Sequence, residues 1–140
     1  MGNMVHENHK DYNKMLPCIN LVRHAIEGQT RIRAEGETYL PKTSGMLSRG
    51  AAGVAHYDSY RENARFPDIT NTTETGIVGL AFDKEPEYKV PSEKVARNGR
   101  TVIELAIHQL CETLETGRGV VLVDAPESGG DAYIVEYAAE

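Results

Sequence analysis

The stretch that most constrains the fold runs from Thr101 to Tyr137. Thr101 and Glu104 stand three apart at the head of VIELAIHQLCETLET, the spacing of a capping box, in which each side chain satisfies a backbone N–H that the first helical turn leaves orphaned. Ile103, Ala106, Ile107, Leu110 and Leu114 follow as an apolar stripe at helical spacing, and Gly117 is suited to the left-handed residue after a helix. The chain then changes period. Gly119–Asp124 (GVVLVD) is short, apolar and rich in valine, which predicts a buried strand. Ala132–Tyr137 (AYIVEY) predicts a second strand. Pro126, Gly129 and Gly130 between them suit the loop of a hairpin.

Upstream, the pattern is helical. Pro17 suits the first position of a helix that carries Ile19, Val22 and Ile26 and stops at Gly28. Residues 29–45 read as irregular, broken by Gly36, Pro41 and Gly45. A second helix is expected from Ser48 to Ala64, with Ala52, Ala55, Tyr60 and Ala64 as a small-residue face and Pro67 as its end. A third is expected over Ile69–Phe82, with Ile69, Thr73, Ile77, Leu80 and Ala81 on one side. Gly76 and Gly79 weaken it by about 1 kcal/mol each relative to Ala. Residues 83–99, with Pro86 and Pro91, read as a connection. Helices precede strands, so the fold class is α+β: several helices, then a C-terminal β-hairpin. The expected organisation is a disordered tail over residues 1–10 and one α+β domain over 11–140. A lone hairpin is marginally stable in water. With Glu140 ending directly on a strand pattern, the expectation is a domain truncated at its C-terminus.

Charge narrows the function. The net charge is −6, and it is concentrated: residues 101–140 hold eight acidic residues against the one cation Arg118. Proteins that grip nucleic acid do so mainly through Lys and Arg on phosphates, so DNA contact through this chain is not expected. No apolar run approaches the roughly 20 residues of a membrane span, and the N-terminus carries no signal-peptide core. Cys18 and Cys111 are far apart and form no CxxC pair, so no metal site or cofactor is implied.

Four strings could carry chemistry. Ile19-Asn20-Leu21-Val22-Arg23-His24-Ala25 resembles the opening of the histidine phosphatases, where an apolar strand delivers an Arg-His pair; His would attack phosphorus while Arg clamps the phosphoryl oxygens. The rest of that family's equipment is missing. The one late histidine, His108, lies inside the amphipathic helix, and Arg23 and His24 equally suit a solvated helix face. Val120–Asp124 has the outline of a Walker B strand, but no GxxxxGK[ST] accompanies it, which leaves a core strand ending in a turn Asp. His6 and His9 near Glu7 and Asp11 sit on no scaffold that would hold a metal. Ser128-Gly129-Gly130 lacks the GxSxG frame of a nucleophile elbow. No catalytic, cofactor-binding or metal-binding residue is assigned, and the expectation is a protein that is not an enzyme.

One resemblance runs along most of the chain. HKDYNKMLPCINLVRHAIEGQTRIRAEGETYLPK (His9–Lys42) carries an HxxY start, a helix around LVR and a GxxYLP string. Tyr57–Pro86 carries YxxY, Ala-Arg-Phe and a Thr-rich stretch. Glu112–Pro126 leads from LETGRG into VVLVDAP, and Ala132–Glu140 reads AYIVEYAAE. In that order these blocks are similar to the N-terminal part of an uncharacterised branch of tailed-phage portal-like proteins. Ile19, His24 and Asn63 depart from the residues usual there (Trp, an acid and Arg). The resemblance implies a wing-like portion of a head–tail connector: a homo-oligomeric ring in the virion through which DNA is packaged. Its partners would be terminase, capsid and tail proteins, and it would be assembled in the cytoplasm of the bacterial host. Tyr39, Tyr57, Tyr60 and Arg118 would serve packing or subunit contacts. The alternatives are a degenerate histidine-phosphatase-like enzyme using Arg23 and His24, or a non-functional prophage remnant.

Overall fold

The computed structural model describes residues 10–84, 86–89, 95–127 and 129–137. Most of the expected N-terminal tail, with His6 and His9, lies outside the described residues, as do Ser128 and the final three residues. The element order is α1 (Tyr12–Glu27), α2 (Gln29–Ala34), a single 3₁₀ turn (Gly36–Thr38), α3 (Ser44–Leu47), α4 (Gly50–Asn63), α5 (Ile69–Ala81), α6 (Val102–Thr116), β1 (Val120–Asp124) and β2 (Tyr133–Tyr137). Among the described residues six α-helices therefore precede a two-stranded antiparallel hairpin, an α+β arrangement.

The chain forms two compact units. One comprises Asn20–Thr73; the other comprises residues up to Ile19 together with Glu74 onward. In the Asn20–Thr73 unit, α1 stops where Gly28 takes a left-handed φ of 76°, and α2 starts at once. A helix thus occupies part of the segment expected to be irregular. Ile32 is its one buried residue, and Arg31 lies between Glu27 and Glu35, each four residues away. Six residues are too few to show a helical period, so the ion pairs and the buried Ile32 carry it. Helix α1 also begins five residues before Pro17, which lies inside it rather than at its head. Proline there leaves one intrahelical bond unmade.

Helix α4 buries Gly53 and Tyr57, not the alanine face read from the sequence; Ala52, Ala55 and Tyr60 are exposed. The reason is a close approach. A Cβ on Gly53 would collide with the Met46 carbonyl oxygen of α3 and come within 2.9 Å of its carbon, so only glycine lets α3 fold against α4. Met46 is buried at that junction.

In the second unit, the capping box is present: Thr101 accepts from the Glu104 N–H at 3.3 Å, and Glu104 accepts from the Thr101 N–H at 2.8 Å. Gly117 closes α6 in the left-handed region, φ 77°. Leu105 and Thr116 are the buried residues of α6, whereas the expected stripe is partly covered and its Ala106 and Leu114 are exposed. The strands pair from Val120↔Tyr137 to Asp124↔Tyr133. The 95–97 segment meets the far edge of β2, through Ile134 N–H to the Val95 carbonyl at 2.7 Å and Arg97 N–H to the Ile134 carbonyl at 2.9 Å. The expectation of a buried first strand is corrected: every residue of β1 is exposed. A valine run reads alike in a core and on an edge, and here no described element covers it. In α5, too, Ile69, Ile77 and Leu80 are exposed.

Candidate functional site

The richest polar arrangement lies in the Asn20–Thr73 unit and is built by the turn of chain at Gly28. Helix α1 delivers His24; α2 and the residue after it deliver Arg31 and Glu35; the 3₁₀ turn delivers Tyr39. His24 Nδ1 stands 2.8 Å from the Tyr39 hydroxyl and Nε2 stands 3.0 Å from Arg31 Nη2. A guanidinium only donates, so Nε2 is the acceptor and Nδ1 carries the proton that it gives to the tyrosine oxygen. Glu35 accepts from Arg31 Nη2 at 3.0 Å and completes the group. Both nitrogens of the imidazole are thus engaged, and its one acceptor lone pair, on Nε2, faces Arg31 and not an open site.

Beside this group lies a cavity of about 290 Å³, walled by Leu21, Ala25, Ile32, Leu40 and Phe66. Tyr39 belongs to both, and the side chains of Arg33 and Arg65 also line it. Arg33 is committed to structure. Its Nε and Nη2 both donate to the Ala64 carbonyl, at 3.0 and 2.7 Å, and so fasten the end of α4 to α2. The Phe66 N–H reaches Gln29 Oε1 at 3.4 Å in the same sense. The volume is at the small end of ligand pockets, and the walls offer no pair of acid and base. It suits an aliphatic side chain or a small apolar fragment better than a reacting substrate.

The aromatic residues named by the resemblance are placed as follows. Tyr57 is buried, its ring 6.2 Å from Tyr60 and beneath the Lys42 ammonium, 5.0 Å from the ring centroid. Lys42 is held at 2.5 Å by Glu37, and that hydrogen bond raises its pKa. Gly36, with φ 54°, sits against the Tyr57 hydroxyl. Tyr60 is exposed, and Arg118 stands just before β1.

In the other unit the sequence reading missed Glu136. Its side chain is only 10% exposed and receives Arg100 Nη1 at 2.5 Å and Asn98 Nδ2 at 3.3 Å; His108 Nδ1 lies 2.9 Å from its second oxygen. The His108 approach does not have hydrogen-bond geometry, so Arg100 and Asn98 are the partners that hold the carboxylate. The partners come from 36 and 38 residues away, and no local spacing announces them. The cluster ties β2 to the loop before α6. Asp124 accepts from the Ala125 N–H and the Tyr133 hydroxyl and holds the turn after β1.

Arg23 and His24 therefore sit within a helix and not at the end of a strand. Among the described residues no three His, Cys, Asp or Glu side chains converge as a metal site would require, and no helix is long and apolar enough to cross a membrane. Burial, followed by the charges of Glu74 and Glu115, pushes the Cys111 thiol pKa up, away from nucleophilic use. No family model and no characterised protein matches this chain.

Proposed function

We propose that the chain is a structural assembly protein of the portal type, the N-terminal part of a head–tail connector, and performs no catalysis. In the intact protein, copies form a ring in the virion, built in the bacterial cytoplasm, through which terminase drives DNA and to which capsid and tail proteins attach. The ordered motif blocks from His9 to Glu140 support this reading. The observation that carries it is the exposure of large apolar side chains along whole elements: Ile69 and Leu80 on α5 are 67% and 79% exposed, and Val123 on β1 is 67% exposed. Runs of this kind mark surfaces that another protein covers. The polar groups with defined geometry, around His24 and Glu136, are consumed in holding elements together. A net charge of −6 leaves DNA contact to other parts of a connector.

The test is mass spectrometry of DNA-filled particles purified from cells that carry the gene. The reading requires peptides of this chain in the particles at a fixed copy number. Their absence, or phosphoester hydrolysis by the purified protein that disappears in His24→Ala, would overturn it.

A further inference from the structure

We propose that β1 is a self-pairing edge, and that two copies of the chain join antiparallel through it into a four-stranded sheet, β2-β1-β1-β2. This goes beyond the portal-type reading and does not rest on it. A two-fold strand contact joins copies head to head, whereas ring closure needs a head-to-tail contact through other surfaces.

Three observations lead to a second copy as the occupant. First, β1 pairs with β2 along one side, and among the described residues no strand pairs with its other side. That leaves a row of backbone donors and acceptors open, and a hairpin alone is marginally stable. Second, edges that must stay single carry lysine, proline or inward charges. Val120–Val123 carries none of these, and its side chains are 47 to 67% exposed on both faces.

Third, the charges at the two ends of this segment are complementary to themselves under two-fold symmetry. With Val121 on the axis, Val120 lies opposite Leu122 of the second copy and Gly119 opposite its Val123. Arg118, the one Lys or Arg in residues 101–140, stands two residues before β1, and pairing that carries the strand back through Gly119 sets it opposite the second copy's Asp124, with the same pair recurring at the other end. Opposite charges directly across an antiparallel pair stabilise it. Centring the axis on Leu122 would instead place Asp124 against Val120, and centring it on Val123 would place Asp124 against Leu122, so charge selects the Val121 register. Asp124 is already fixed at the strand end by the Ala125 N–H at 2.8 Å and the Tyr133 hydroxyl at 3.1 Å.

Sedimentation equilibrium of the full chain, with far-UV circular dichroism as the folding control, is the first measurement. A reversible monomer–dimer equilibrium is expected. Arg118→Asp should weaken it about tenfold by setting like charges opposite each other at both ends. Arg118→Asp combined with Asp124→Arg should restore it. Val121→Lys should abolish it, since two ammonium groups would meet on the axis.

Register is read separately by oxidation in a Cys18→Ser, Cys111→Ser background. Residues on the axis are close enough for a disulfide, so Val121→Cys should yield a covalent dimer. Val123→Cys should not, because its two copies would stand about 13 Å apart along the strands. A chain that stays monomeric at all concentrations overturns the proposal. So does a dimer indifferent to Val121→Lys, a charge swap without rescue, or equal crosslinking at 121 and 123. None of these results depends on whether the chain is found in virus particles.

Discussion

The Asn20–Thr73 unit and the unit that ends in the hairpin use the same modest supply of apolar residues in opposite ways. In the first, Ile32, Met46 and Tyr57 are buried among short helices, and Arg33 and Gln29 fasten the 64–66 segment by reaching backbone atoms. In the second, Leu105 and Ala96 are buried, but the most apolar segment, Val120–Val123, lies open. Order there rests on the capping box of α6 and on the charged cluster at Glu136. Packing by close approach is unforgiving of added atoms, whereas order held by caps and ion pairs is weakened by removing single polar groups. Substitutions in the two units should separate along that line.

The largest effect is expected at Gly53. Gly53→Ala drives a methyl into the Met46 carbonyl, a backbone atom that cannot swing aside, so α3 and α4 must part. The expected loss is about 3 kcal/mol in urea unfolding. A change below about 1 kcal/mol would mean that the α3–α4 approach is looser than described. The next contrast pairs the two units directly. Ile32→Ala removes a buried side chain and should destabilise by about 2 to 4 kcal/mol. Leu122→Thr, measured where the chain is monomeric, trims a side chain that is half exposed and keeps strand propensity, so its effect should stay below about 1 kcal/mol. Equal losses at the two positions would show that β1 is covered in the free chain.

That contrast also explains what could be read from the sequence. Thr101, Glu104, Gly117 and Gly28 act through bonds or backbone angles within a few residues of themselves, so the start and end of α6 and the end of α1 were legible. The hairpin was legible because a valine-rich run and a run of tyrosine, isoleucine and valine flank a Pro- and Gly-bearing loop. Burial was not. Which face of α4 turns inward is decided by Met46 approaching Gly53, a contact between elements, and small residues elsewhere on α4 gave a competing face. Helix α2 was too short to show a period. The His24 group was visible only as an Arg-His pair, because Arg31, Glu35 and Tyr39 join it through a reversal at Gly28 that places them around the ring. Glu136 carried no local signal, since Asn98 and Arg100 reach it across the loop before α6.

A smaller effect should come from the cap on which the hairpin unit relies. Thr101→Ala leaves the Glu104 N–H without its acceptor and should destabilise by about 1 kcal/mol. Thr101→Ser should retain most of the stability, because the serine hydroxyl can accept the same bond. Hydrogen exchange localises the effect: faster exchange is expected in the first turns of α6, with the Asn20–Thr73 unit unchanged. Loss of protection throughout Asn20–Thr73 would instead show that the two units unfold as one.

The smallest effect is expected at Glu74, and its sign is opposite to the others. Burial raises the carboxyl pKa above its ordinary value of 4.5, repulsion from Glu115 adds to this, and a hydrogen bond with Cys111 pulls partly the other way. A carboxyl whose folded pKa is raised weakens the fold once ionised. The penalty is absent below pH 4.5, where folded and unfolded chains are both protonated, and complete above the raised folded value. Glu74→Gln should therefore stabilise the protein at neutral pH, by less than about 1 kcal/mol because the site is partly solvated. The gain should shrink as pH falls through the raised pKa and vanish below the ordinary one. Melting temperatures of parent and variant at neutral and at acid pH give the comparison. A thiol readout is independent of stability. Glu74 is among the causes that raise the Cys111 pKa, so Glu74→Gln should speed alkylation of Cys111 in mildly alkaline buffer and leave the exposed Cys18 unchanged as an internal reference. If Glu74→Gln instead lowers the neutral-pH melting temperature, the hydrogen bond to Cys111 outweighs burial, and the ionised carboxylate stabilises this unit as the other charged groups do.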